Sequence, residues 1–416
     1  MKTYSQEDSP NKGIVFENHL TWQQVVQKAK ADNKYIFVDC YASWCGPCKW
    51  MDQHVYTNDT VGDFVNKSFV AVKVQMDTTR HDVAGIMAWY TSAHEMDEQY
   101  RIRAYPTYLF FSPDGQAVHK AIGAADVRDF LALARAAMDP RQQYYTLLTQ
   151  YERGTQQYGL MPYLINTAKR VYDDSLSSVI AVDYLNYLGG LADKDLWTKD
   201  NIEFIGTYGK VIHYGDKIFQ RYLRAKVQID SIIGSAGYAD RLINEVAYNE
   251  EISPGIDAGI KDDSEPNWHL MTKMIKKKYG AAFVRENMLI GKEEYYRSIK
   301  KWDKYATYFV LHMQSADIEN WPPGRATSLG LNNNAFEVFK YSKRRKELEE
   351  ALSWIDRALT MNVYQVQELD TKANLLYKLG RNNEAITWEE KSHNLAPGDK
   401  DIQANYEKMK NGQPTW

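Results

Sequence analysis

Cysteine is scarce in this chain: there are three, at positions 40, 45 and 48, and none follows Cys48. A disulfide framework is thereby excluded, and any thiol chemistry is confined to one short segment. Long apolar runs are also missing. No stretch reaches the ~18 residues that a membrane-spanning helix needs, and Met1-Lys2-Thr3-Tyr4-Ser5-Gln6-Glu7-Asp8 lacks the apolar core of a signal peptide. Charge of one sign is lacking too, because the formal net charge is −3 with both signs interspersed. Neither a basic stripe for nucleic acid nor a polybasic segment for a membrane surface is present, so neither partner is expected. What remains, 44% hydrophobic and 25% charged over 416 residues, is ordinary globular material with room for two or three domains.

Residues 1–13 read as a flexible lead-in, and residues 14–138 alternate strand-like and helix-like runs, the pattern of an α/β domain. Thr21-Trp22-Gln23-Gln24 has the spacing of a capping box and predicts a helix through Lys30. Tyr35 to Cys40 predicts a strand, followed by a cysteine-bearing turn and a helix to about His54. A helix over Thr60 to Asn66 leads into the strand Phe69 to Gln75, and Val83, Ile86, Met87 and Tyr90 recur at helical spacing. Pro113-Asp114-Gly115 joins strands at 106–111 and 116–122 as a hairpin, with glycine where φ is expected to be positive. A helix from about Asp126 to Met138 closes the domain.

Beyond Asp139-Pro140 the composition shifts to Tyr, Leu, Ala and Lys in amphipathic helical runs, and residues 139–331 are expected to be all-helical. Ser253-Pro254-Gly255 through Glu265-Pro266, and Trp321-Pro322-Pro323-Gly324, are expected to be loops or sub-domain joints. Glu350-Ala351-Leu352-Ser353-Trp354 recurs as Glu384-Ala385-Ile386-Thr387-Trp388, a spacing of 34 residues. Ala373 and Pro397 also suit that period, so 332–400 resembles two tetratricopeptide repeats. Ala335, Leu369 and Lys372 depart from the pattern at its aromatic and leucine positions. Residues 401–416 read as a C-terminal tail.

The chemistry is expected in Trp44-Cys45-Gly46-Pro47-Cys48-Lys49. At a helix N-terminus, unpaired N–H groups and the positive end of the macrodipole favour a thiolate at Cys45. Cys48, one turn on, is placed to resolve a mixed disulfide by attacking Cys45 Sγ. Pro47 costs nothing in a first helical turn, and with Gly46 it sets the spacing of the sulfurs. Zinc is disfavoured, since it needs about four ligands and no second Cys or His pair stands at ligand spacing. No metal and no cofactor beyond a Cys45–Cys48 disulfide is expected.

Val38-Asp39-Cys40-Tyr41-Ala42-Ser43-Trp44-Cys45-Gly46-Pro47-Cys48-Lys49 resembles the strand-to-active-site signature of the thioredoxin family, and the resemblance covers about residues 14–138. It implies a thioredoxin fold, with Pro106 of Tyr105-Pro106-Thr107 as a cis-proline opposite the cysteines and Gly123 as a glycine of the last strand. By the same resemblance Asp39 is the buried acid that accepts the Cys48 proton, Lys73 modulates it, Trp44 covers the site, and Pro106 shapes the substrate groove. A buried carboxyl has a raised proton affinity, which suits that role. Tyr105 replaces the smaller residues usual before the proline and bears on substrate preference. A further departure is the segment between Asp77 and Ile102, about fourteen residues longer than a minimal thioredoxin needs; it predicts an inserted helix at about 78–99. His81, Trp89 and His94 on it are expected to border the groove or pack toward the helical region. Cys40, adjacent in the strand to Asp39, points to the opposite face and reads as a buried hydrophobe.

The expected architecture is therefore an α/β thioredoxin fold followed by an all-α, tetratricopeptide-like region. The expected activity is thiol–disulfide exchange, leaning to reduction of protein disulfides, with Cys45 attacking, Cys48 resolving and Asp39 moving the proton. Protein disulfides and a separate electron donor are the implied partners, since no flavin or nicotinamide motif occurs, and a further protein partner is expected on the helical region. The rival expectation is a protein-binding helical scaffold with an accessory or sensing thioredoxin-like domain. A periplasmic location is expected if a leader was trimmed, and a cytoplasmic one otherwise.

Overall fold

The computed structural model describes residues 13–315, 326–361 and 366–416. Nearly all of the lead-in and Trp321 to Gly324 lie outside the described residues.

Thr21 caps the first helix, α1 (Trp22–Asp32), through a complete capping box with Gln24, and Asn33 ends it in the left-handed conformation. The sheet has four strands, β1 (Tyr35–Tyr41), β2 (Phe69–Gln75), β3 (Thr107–Phe111) and β4 (Ala117–Ile122), in the order β2-β1-β3-β4. β1 and β2 are parallel, with Asp39 opposite Lys73, while β3 runs antiparallel to both β1 and β4. Parallel neighbours need a crossover, which α2 (Gly46–His54) and α3 (Asp59–Ser68) supply. The hairpin between β3 and β4 turns at Gly115, whose φ of +79° favours glycine.

Both faces of the sheet are covered, which is why its strands read as nearly continuous apolar runs. On one face Phe37, Phe69, Ala71, Tyr108 and Phe110 pack against Met51 of α2, against Val55 just beyond it and against Phe130 of the closing helix α6 (Val127–Ala136). On the other, Ile36, Val38, Cys40, Val72 and Val74 pack against Val25 and Ala29 of α1 and against Ala93 and Met96. The inserted segment forms two helices, α4 (Ala84–Met87) and α5 (Tyr90–Tyr100). Its Trp89 does not border a groove: it is buried in the core with α1, because an amphipathic helix laid on an apolar sheet face turns its largest side chain inward. His81 and His94 are exposed, the latter 3.4 Å from Glu98.

The described residues after α6 are helical, and the chain forms two compact units. One runs through Leu196 and includes Glu203–Val211; the other comprises Trp197–Ile202 and Ile212–Trp416. Within the first unit, α7 (Tyr144–Glu152) packs against β4, so the compositional boundary at Asp139 is not a boundary of compactness.

In the second unit, Ser253-Pro254-Gly255 lies within a helix rather than a loop: Tyr238–Ala247 passes through a π-helical turn, Tyr248–Ile252, directly into Ser253–Lys261. Pro254 stands just after the π turn, where the regular bonding pattern is already interrupted, and the glycines admit close neighbours. A Cβ on Gly255 would lie 2.1 Å from Met271 Cε, and one on Gly259 would lie 2.7 Å from the carbonyl oxygen of Ser264. Toward the C-terminus the helices Ser328–Tyr341, Arg345–Met361, Val366–Lys378 and Asn382–Leu395 follow, and the two copies of the 34-residue motif lie on the second and fourth. The expected tail is a helix over Lys400–Lys410, capped by Asp399 and anchored by buried Ile402 and Met409. Among the described residues no helix is long and apolar enough to cross a membrane.

Candidate active site

Cys45 is the N-cap of α2, and its Sγ accepts the backbone N–H of Cys48 at 3.1 Å. The positive end of α2 therefore points at this sulfur, which stabilises a thiolate whenever the pair is reduced. Gly46 and Pro47 form the first turn, where the missing N–H of proline leaves no bond unmade. The two sulfurs are joined as a disulfide, and both cysteines are only 2% exposed. Tyr41 and Tyr105 pack against them together with Ala42.

Trp44, expected as a cover, stands at the rim with 71% of its surface exposed and its ring edge-on to Tyr105 at 5.8 Å. The loop before it is tied down by Asp77, whose carboxylate accepts the Ser43 N–H at 2.8 Å and also the Ser43 hydroxyl. On the opposite wall the Tyr105–Pro106 bond is cis, and the Pro106 carbonyl accepts the Gly123 N–H at 2.9 Å. Thr107 Oγ1 bonds to the Ala104 carbonyl at 2.7 Å, and buried Lys120 holds the approach to this loop through the Tyr100 carbonyl at 2.7 Å. Tyr105 is thus presented to the cysteines by backbone contacts on both sides.

Beneath α2, Asp39 is fully buried on the sheet face that carries Phe37. Neither of its oxygens is hydrogen-bonded, and Lys73 Nζ stands 3.6 Å from Oδ2. Burial pushes the Asp39 carboxyl up to about 6; Lys73 opposes the shift and Asp52 adds to it. The hydroxyls of Tyr56 and Tyr108 are likewise buried without a hydrogen-bond partner, and burial raises both phenols well above their ordinary value. A carboxyl in this setting takes up a proton near neutral pH. Cys40 is buried on the other face, with its thiol pushed up by burial.

Sequence reading brought Cys45, Cys48, Trp44, Tyr105 and Pro106 to one place and Asp39 with Lys73 to another beneath it. It missed Tyr41, Tyr56, Tyr108 and Asp52. The first three read as strand or helix-end aromatics. Asp52 had one available signal, since it lies one turn beyond Cys48 on the same helix face.

A thioredoxin-like domain model matches residues 22–138. The thioredoxin of Mycoplasmoides gallisepticum is 32% identical over 105 residues, which are 25% of this chain and 86% of that protein. The chain belongs to the thioredoxin family. An H-type thioredoxin of Fagopyrum esculentum is 32% identical over 103 residues, 25% of this chain and 72% of that one. Protein disulfide-isomerase A3 of Gallus gallus is 29% identical over 127 residues, 30% of this chain and 21% of its own length. Thioredoxin membership makes this a thiol–disulfide oxidoreductase domain in general terms.

Proposed function

We propose that the Cys45–Cys48 pair reduces or exchanges disulfides in protein substrates. The observation that carries this reading is the N–H of Cys48 directed at Cys45 Sγ from a helix N-terminus, above a buried carboxyl that protonates near neutral pH. The Cys45 thiolate attacks a substrate disulfide, an S–S bond forms between them, and one substrate sulfur leaves as a thiolate. Cys48 then gives its proton to Asp39 and attacks Cys45 Sγ. The Cys45–Cys48 bond forms, the bond to the substrate breaks, and the second substrate thiolate departs and is protonated from solvent. The substrate disulfide has gained two electrons and the enzyme dithiol has lost them. A separate dithiol donor must reload the pair. The exposed Trp44 and the partly buried Tyr105 form the rim on which an apolar segment of the substrate rests.

The helix pairs of residues 328–395, read as tetratricopeptide-like, would recruit or orient the protein partner. The deciding experiment is a redox titration of the pair against glutathione and dithiothreitol, with insulin reduction in parallel. A potential near that of thioredoxins, about −270 mV, with turnover lost in Cys45→Ser, supports the reductase. A much more oxidising pair points to disulfide donation, and a pair that neither titrates nor reacts leaves the helical scaffold as the working part.

A further inference from the structure

Lys73 reaches two carboxylates at once. It leaves β2 opposite Asp39, yet its Nζ is in direct contact with Asp52 of α2, while Asp39 Oδ2 remains at 3.6 Å. Asp52 is nearly half exposed and Asp39 fully buried, so the ammonium is drawn toward the wet end of the pair. The rings of Tyr41, Tyr56 and Phe16 enclose it, with centroids 4.9, 5.6 and 5.7 Å from Nζ.

We propose that Asp52 is a positioning residue for thiol–disulfide exchange: by holding the Lys73 ammonium to itself, it keeps Lys73 from fully neutralising Asp39 and leaves Asp39 free to take the Cys48 proton. This rests on the reading of Asp39 as the proton acceptor. The titratable and charged groups that bear on Asp39 come from each neighbouring element: Lys73 from β2, Asp52 from α2, Tyr56 just beyond α2, Tyr108 from β3 and Tyr41 from its own strand. The three phenols are held protonated, their titration pushed above the ordinary tyrosine value chiefly by burial, so the balance around Asp39 is set by one ammonium and one carboxylate. With Asp52 neutral, Lys73 would serve Asp39 alone. Asp39 would then stay ionised to lower pH and be a weaker base for the thiol.

The test uses the full chain with Asp52→Asn, Asp52→Glu and Lys73→Met. Reduced protein is mixed with the aromatic disulfide that yields thionitrobenzoate. The first release reports attack by Cys45, and the second reports resolution by Cys48. In Asp52→Asn the second release is expected to slow about tenfold on its plateau, with its acid limb moved about one pH unit lower. The Cys45 step is expected to change little, and Asp52→Glu to restore the wild-type profile. The Asp39 carboxyl is also titrated in the oxidised proteins by infrared difference against Asp39→Asn. It should move down in Asp52→Asn and up in Lys73→Met. If it stays in place in either variant, the role of Asp52 is overturned whether or not the protein exchanges disulfides. A wild type that releases no thionitrobenzoate instead overturns the exchange reading, a separate result.

Discussion

The backbone N–H of Tyr144, the first residue of α7, donates to Nδ1 of His119 on β4 at 3.1 Å. The imidazole is buried and must be neutral to accept this bond, so burial holds its titration down, at about 4. The helix that follows the thioredoxin-like segment is thereby fastened to the last strand of the sheet.

Folded His119 titrates below its unfolded value of 6.5. Its contribution to stability is therefore complete above pH 6.5 and is lost as pH falls toward 4, by about 3 kcal/mol in all. Because Asp39 titrates in nearly the same window with the opposite sign, urea unfolding in an Asp39→Asn background, with amide exchange in β3 and β4 as the local probe, should show the loss. Adding His119→Gln to that background should remove the slope. An unchanged slope would show that the imidazole is not the titrating group.

Asp39 acts with the opposite sign. Its folded value of about 6 lies above the ordinary 3.8, so stability is fullest below pH 3.8 and falls as pH rises through 6, by about 3 kcal/mol. Asp39→Asn removes the buried charge and should be the more stable protein at pH 8, while slowing the resolving step by about tenfold or more. Denaturant midpoints at pH 5 and pH 8, set beside thionitrobenzoate release, measure both effects. A variant no more stable than wild type at pH 8 would contradict the burial argument.

Removing Cys48 should leave attack by Cys45 intact and block its resolution. Incubation of Cys48→Ser with insulin or another disulfide protein should accumulate an adduct on Cys45, visible as a mass increase that dithiothreitol reverses. Cys45→Ser should form none. Trapping by Cys45→Ser and none by Cys48→Ser would mean that the order of attack is reversed.

Alanine is the better helix former by about 1 kcal/mol, yet Gly259→Ala should destabilise the second unit by about 1–3 kcal/mol. The added carbon would meet the Ser264 carbonyl at 2.7 Å and Pro266 Cγ at 2.9 Å. Gly190→Ala, where a Cβ meets nothing within 4 Å, is the control and should be neutral or stabilising. Thermal melts of the two variants decide the matter.

The amino-acid sequence by itself determined the features written within a few residues of one another. The capping box at Thr21, the alternation that buries Phe37 on one face and Cys40 on the other, the turn at Gly115 and the cysteine pair at the start of α2 all rest on local periodicity and local hydrogen bonding. Tertiary structure decided what depends on residues distant in the chain. Trp44 became a rim and Tyr105 the side chain against the sulfurs, because the cis-proline loop that leads into β3 is brought against the start of α2. Gly255 and Gly259 became packing sites inside a helix rather than a loop, because Met271 and Ser264 approach them. Lys73 came to be shared between Asp39 and Asp52 because β2 and α2 flank the same buried strand. Local propensity acts through neighbouring backbone groups, whereas burial and charge depend on which distant elements the fold sets side by side.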